Sequence, residues 1–507
     1  MDMQKFMVKN PEVLSSVLSD EIKFHPAKLK NTYRHWLENI KDWNISRQLW
    51  WGHRIPAWYN KSGDFVVART LEEALLKFKQ DGISESANTI EQDPDVLDTW
   101  FSSWLWPLSV FDGIGKNADK QELDYYYPTN DLVTGPDILF FWVARMIMAG
   151  YEYKRELPFK NVYFTGLIRD KQRRKMSKSL GNSPDPLDLI EKFGADSVRL
   201  GLLLCAPAGN DILYDESQIE QGRNFCNKIW NAYRLTTTWV VEEIEPSKAQ
   251  VQANEWFQAR LNTCISANQE HFSEFRLSDA LMNLYKLVWD DFCSIYLEAV
   301  KPAFEQPMSQ VALESVKKHF ADLMKLLHPF MPFITEELYH ALNGGDAIVA
   351  SYPTMVTNQS GIAHEEPLIL VTEIRNLRSQ KGLSPKETLE VWVEKRELFT
   401  QYLEMSEKLA NIRIVNVAEF DGIGLLVGRS AVKIKLTQEI DLDAEIKSIN
   451  EEIGYLQGFL KSVDAKLSNE RFVANAKQEI VDKEKQKQQD ALVKIKALND
   501  RLTQLKG

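Results

Sequence analysis

Apolar side chains at Leu442, Ile446, Ile449, Ile453, Leu456, Leu460, Val463 and Leu467 fall at alternating intervals of four and three, a heptad seam. SNERFVANA (468–476) interrupts the rhythm, and Ala491, Ile495, Leu498, Leu502 and Leu505 resume it. The pattern predicts an antiparallel coiled-coil hairpin over 436–507. Its outer faces carry many Lys, so it serves either as a packing or dimerising coiled coil or as an arm reaching a polyanion. Over 213–345 the period becomes that of the α-helix: GRNFCNKIWNAYRL, LSDALMNLYKLVWDDFCSIYLEAV and KKHFADLMKLLHPFMPFITEELYHAL repeat apolar residues three and four apart, which predicts an all-α helix bundle.

Residues 31–212 alternate strand-like apolar runs with helical stretches, an α/β pattern. NVYFTGLI (161–168) reads as a buried strand. VTGPDILFFWVARMIMAG (133–150) reads as a turn, Pro136 at the first helical position, an apolar helix and Gly150 past its end. DPLDLIEKF (185–193) and ADSVRLGLLL (195–204) are two helices parted by Gly194. Residues 346–435 mix Pro, Gly and strand runs (LEVWVEK, AVKIKL) into a small α/β region, and residues 1–30 have few features.

At 507 residues the chain is long enough for several domains. A net charge of −11 argues against a generally basic nucleic-acid binder, so an RNA surface must be local. Cys205, Cys226, Cys264 and Cys293 are scattered without metal-ligand spacing, which predicts reduced thiols and no zinc. No apolar run approaches a membrane span, and a cytoplasmic protein without a membrane partner is expected.

The chemistry concentrates in TGLIRDKQRRKMSKSLGNSPDPLDLI (165–190), where Lys175, Met176, Ser177, Lys178 and Ser179 follow Arg173 and Arg174. A mobile cationic loop of this kind supplies positive charge where a phosphoryl transition state develops negative charge. Without its flanks it reads equally as a solvated basic turn.

With its flanks the segment resembles the signature loop of the class I aminoacyl-tRNA synthetases, and the surroundings resemble the valyl branch. ISRQLWWGHRIPAWY (45–59) is similar to the return from the inserted editing domain, and DPDVLDTWFSSWLWPLS (93–109) and VTGPDILFFWVARM to valyl-type catalytic segments. WDDFCSIYLEAVKP (289–302) and HPFMPFITEELY (328–339) resemble the anticodon-binding bundle, and the heptad hairpin resembles the valyl arm.

The resemblance implies an order of parts: 1–30, the end of the editing domain and return linker; 31–212, the second half of a Rossmann-type catalytic domain; 213–345, the anticodon bundle; 346–435, a small α/β region; 436–507, a coiled-coil arm for tRNA. It implies activation of L-valine with ATP, accompanied by Mg2+, and transfer to the valine tRNA by an intact enzyme expected to be a monomer. No metal bound by the protein is implied.

By resemblance Lys175 and Lys178 are catalytic and steady the leaving phosphates, Ser177 and Ser179 shape the loop, and the loop with Gly135 and Asp137 binds ATP. Trp100 and Trp142 are the valine-pocket tryptophans, whereas Trp104, Trp106 and Phe141 are expected in ordinary packing. Turn chemistry for the serines, a first-turn acid for Asp137 and core packing for the tryptophans remain the alternatives. RNA contacts are expected at the start of the bundle (Arg223, Asn224, Lys228, Trp230), along Arg169 to Lys178, and on the arm.

Two departures stand out: Arg173 occupies a position where the family usually has Gly, and no His-x-Gly-His occurs in the chain. The expectation is a C-terminal part that carries one of two ATP signatures and is inactive alone. An isoleucyl-type chain or a non-catalytic tRNA-binding paralogue is the alternative.

Overall fold

A computed structural model describes residues 1–114, 120–206, 209–356, 361–362, 364–417, 421–435 and 442–468, and the positions 481, 484, 488, 491, 492 and 495; for Lys178, 442–449 and 452 it describes the backbone alone. The chain divides into two units, Met1–Gly361 and Ile362–Gly507.

The first unit is built on a parallel three-stranded sheet in the order Lys23–His25, Phe159–Phe164, Thr129–Thr134. Val162 is the register point, paired with Phe24 on one side and Leu132 on the other. The central strand is apolar at successive positions because helices cover it: Phe159, Val162 and Phe164 are buried with Val13, Val17, Tyr33, Leu139, Val143 and Ile147. The sequence boundary at residue 30 has no counterpart here. Residues 23–25 are an integral strand of this sheet, and a three-residue strand is too short to show a period.

The apolar helix after Pro136 starts as a 3-10 turn (Pro136–Ile138), widens to π-helix over Leu139–Ala144 and continues as α-helix over Arg145–Tyr153. Gly150 therefore lies inside the helix rather than past its end. A Cβ there would sit 2.7 Å from the Glu156 carbonyl oxygen and 2.8 Å from the Tyr127 hydroxyl, so close packing rather than helix termination accounts for the glycine.

Helices Pro186–Phe193 and Ala195–Leu204 meet at Gly194, whose φ of +87° belongs to the region that favours glycine. Long helices follow at Glu216–Thr237, Lys248–Ser273, Gln310–Leu327 and Pro332–Asn343, with Leu277–Lys286, Leu287–Tyr296 and Leu297–Val300 forming one continuous helical run. Ser247 and Gln250 close a reciprocal capping box at the start of the second. Asp196 caps the Pro332–Asn343 helix from outside, accepting from the Ile334 N–H at 2.7 Å.

In the second unit a four-stranded sheet runs in the order Ile412–Ile414, Leu389–Val393, Ser430–Lys435, Ile423–Val427. Helix Glu366–Lys381 packs its apolar face on it through Leu370, Ile374 and Leu377. Beyond it lies helix Leu442–Leu467. Its described seam residues Ile453, Leu456, Leu460, Val463 and Leu467 are buried or half-buried. Gln488 donates to Asp464 at 2.7 Å and Lys466 to Glu484 at 3.5 Å, so the two stretches run in opposite directions at these points. The expected turn at 469–476 and the seam residues Leu498, Leu502 and Leu505 lie outside the described residues.

Candidate active site

The Thr129–Thr134 and Phe159–Phe164 strands are parallel neighbours, so both release their chains at the same edge of the sheet. From one emerges the Gly135–Asp137 turn and from the other the basic loop, the position at which open α/β sheets carry ligands. Thr165 joins the exits through its N–H, which donates to the Thr134 carbonyl at 2.9 Å. Asp137 approaches Gly135 so closely that a Cβ on the glycine would lie 2.6 Å from Oδ1. The Lys175 ammonium donates to Asp137 Oδ2 at 3.1 Å, which brings the two segments together.

The basic loop is a folded hairpin. Its base, Ile168–Arg169, pairs with Ile212–Leu213, and Arg169 forms an ion pair with Asp211. Arg169 and Lys175 bridge across the hairpin. At its tip Arg173 has φ +64°, a left-handed conformation that costs a side-chain-bearing residue about 1–2 kcal/mol. This is the position at which glycine was the expected residue.

Asp170, which the sequence did not single out, organises the interior. It is 7% exposed and accepts from the N–H groups of Gln172 (3.0 Å) and Arg174 (2.8 Å), the Arg174 side chain (2.8 Å) and the Asn182 amide (2.9 Å). Those donors, Asn182 foremost, hold its carboxyl down at about 2. The Asn182 carbonyl accepts from the Ser177 N–H at 2.9 Å, and the Ser177 and Ser179 hydroxyls lie 3.2 Å apart. Met176 closes the hairpin through its N–H on the Ile168 carbonyl. Lys178 begins a 3-10 turn, Lys178–Leu180; its side chain lies outside the described residues.

The two candidate pocket tryptophans lie on segments that pack together. Trp100, half-buried on helix Thr99–Ser103, stacks on Phe141 with centroids 5.9 Å apart and 25° between planes. The Trp142 indole N–H donates to the Ser103 carbonyl at 3.2 Å. Phe141, expected as packing, is exposed and walls a groove of about 480 Å³ with Trp36, Trp43, Phe140 and Arg145. Trp106 is also exposed, because its helix is a single turn at the surface, while Trp104 is core.

Buried Asp98 ties this region together. It caps the Trp100 helix through Oδ1, and Oδ2 accepts from the Trp43 indole (2.9 Å) and Arg47 (2.5 Å). Arg145 lies 3.6 Å above the Trp43 ring, and burial lowers its guanidinium to about 10. Neither Asp98 nor Arg145 carried a sequence signal, since each sits in an ordinary-looking helical or capping context.

Among the described residues no group of three or more His, Cys, Asp or Glu side chains is placed to hold a metal ion. The four cysteines are free, and burial pushes the Cys264 and Cys293 thiols up to about 12. No described helix is long and apolar enough to cross a membrane. Of the residues expected to meet RNA, Trp230 is exposed, Lys228 lies 5.3 Å from the Trp289 ring and Arg223 pairs with Glu220.

Three family descriptions match in succession: class I tRNA synthetases for isoleucine, leucine, methionine and valine (I, L, M and V) over residues 3–215, the anticodon-binding domain of tRNA ligase over 254–393, and the valyl tRNA synthetase tRNA-binding arm over 441–506. A valine--tRNA ligase of Parabacteroides distasonis is 50% identical over 503 residues, covering 97% of this chain and 58% of its own. That of Porphyromonas gingivalis is 51% identical over 508 residues with the same coverage. That of Chlorobaculum tepidum is 38% identical over 519 residues, covering 94% of this chain and 56% of its own. The chain thus spans under two thirds of the length of these relatives.

Proposed function

The chain belongs to the class I aminoacyl-tRNA synthetases, and from that premise we propose that it serves valine--tRNA ligation. It contributes the Lys-Met-Ser-Lys-Ser loop, part of the valine and ATP site, and the tRNA-binding regions. The observation that carries this reading is the 3.1 Å contact of Lys175 with Asp137, which joins the two candidate nucleotide-binding segments at the same edge of a parallel sheet.

In the reaction a carboxylate oxygen of valine bonds to the α-phosphorus of ATP and the bond to pyrophosphate breaks. The terminal ribose of the tRNA then displaces AMP from the adenylate. The attacking carboxylate brings no proton to remove, so orientation and charge neutralisation supply the acceleration. Lys175 and Lys178 stabilise the departing pyrophosphate, and Asp137 accepts from a ribose hydroxyl beside the close backbone approach at Gly135. Ser177 and Ser179 hold the loop. Trp100 and Trp142 provide rigid aromatic surface for an aliphatic side chain.

The domains follow the order 31–212 catalytic, 213–345 anticodon-binding, 346–435 connecting and 436–507 arm, with 1–30 joined to the catalytic sheet. The sequence holds no His-x-Gly-His, and on this reading the chain alone does not support valine-dependent ATP–pyrophosphate exchange.

The test is calorimetric binding of ATP and pyrophosphate to the chain and to Lys175→Ala. Loss of either affinity in the variant supports the reading, and equal binding contradicts it.

A further inference from the structure

The loop's lysine is held through a polar bridge between the two ends of the loop. Asp170 enters the loop and Asn182 leaves it, and the two are in contact at 2.9 Å. The Asn182 amide serves both sides: its N–H groups face the Asp170 carboxylate and, at 3.4 Å, the Lys175 carbonyl, while its oxygen accepts from the Ser177 N–H. The backbone on both sides of Met176 is thereby tied to a buried carboxylate.

We propose that Asp170, acting through Asn182, is the positioning residue for Lys175, and that this bridge sets how the basic loop is presented to an anionic substrate. The inference rests on the reading of Lys175 given above. Side-chain amide chemistry is essential to it. A carboxylate at position 182 keeps an acceptor for Ser177 but offers Asp170 no donor. Instead it sets two negative groups side by side, with Arg174 the guanidinium on Asp170, Arg169 already paired with Asp211, and Lys175 turned to Asp137. Two adjacent carboxylates share a proton in mild acid, which restores a donor. An alanine at 182 restores nothing at any pH.

The experiment is amide hydrogen exchange, read by mass spectrometry on the full 507-residue chain at pH 7.5 and pH 5 and corrected for intrinsic rates. Wild type, Asn182→Asp and Asn182→Ala are compared. Wild type should protect 172–177 equally at both pH values, because Asp170 stays ionised. Asn182→Ala should lose roughly tenfold protection at both, the scale of a hydrogen bond to a charged group. Asn182→Asp should lose it at pH 7.5 and regain most of it at pH 5. Unchanged exchange elsewhere in the chain reports an intact fold.

The proposal is overturned if neither variant alters 172–177, or if Asn182→Asp is as unprotected at pH 5 as at pH 7.5. Pyrophosphate binding to wild type and Lys175→Ala, measured alongside, judges the functional reading separately. Equal affinity there removes Lys175 from the chemistry while the exchange data still decide the bridge.

Discussion

Lys175 Nζ and Asp137 Oδ2 lie 3.1 Å apart, although 38 positions separate the residues in sequence. Both side chains are substantially exposed, at 60% and 42%, so the pair adds at most about 1 kcal/mol to stability. Its consequence is for ligands, because each partner occupies the other's charge.

Asp137→Asn should therefore leave the melting temperature nearly unchanged and separate two ligands. Pyrophosphate, which needs only the lysine, should bind a few-fold more tightly once the competing carboxylate is gone. ATP, whose ribose hydroxyl the proposed function assigns to Asp137, should bind more weakly. Isothermal titration with both ligands checks this, and parallel changes would refute the division of roles.

At Arg173 the left-handed backbone sets a second expectation. Arg173→Gly should be tolerated, since glycine adopts φ +64° without strain. Arg173→Val should open the hairpin by about 1–2 kcal/mol, as a β-branched residue is least suited to this conformation. Exchange of the Met176 amide, which closes the hairpin on Ile168, reports the difference.

Helix Ala195–Leu204 packs directly on Glu216–Thr237 because glycines remove the side chains between them. A Cβ at Gly222 would stand 2.3 Å from the Ser197 carbonyl oxygen. Gly222→Ala should cost about 2–3 kcal/mol, an overpacking that backbone movement alone can relieve. Urea denaturation should show the loss, whereas Gly181→Ala, with no neighbour around its Cβ, should suffer only from its positive φ.

His319 is buried beside Tyr296, with Nδ1 3.1 Å from the phenol oxygen, and burial lowers its pKa to about 3. The unfolded chain takes up this proton near the ordinary value of 6.5 and the folded chain only near 3. Stability therefore falls as pH drops through that interval, and the effect levels off below it. His319→Gln, which cannot titrate, should lose less stability than wild type between pH 7 and pH 5 in urea titrations.

Local chemistry made much of this architecture legible. Pro136 begins its helical run where the sequence placed it, the helix read at 185–193 runs from Pro186 with Asp185 as its cap, and Gly194 parts the two helices after the loop. Resemblance, from two separate segments, gave Lys175 and Asp137 a part in ATP binding, which remains a proposal; the structure adds that their side chains lie 3.1 Å apart. What stayed hidden depends on partners distant in sequence. Residues 23–25 are too short to show a strand period, and only their pairing with Asn161–Tyr163 makes them part of the sheet. Asp170 and Asn182 look like turn residues until the hairpin brings them together. Gly150 mimicked a helix stop because close packing and termination both select glycine.

On the proposed function this chain distinguishes the valine tRNA from other tRNAs. This central claim is tested most directly by binding of the purified chain to tRNAs for valine, isoleucine and an unrelated amino acid, at low and moderate salt. Selective binding of the valine tRNA that persists at moderate salt is the expected result, since specific contacts survive the screening that removes phosphate attraction. Equal affinity for all three, erased together by salt, would contradict it.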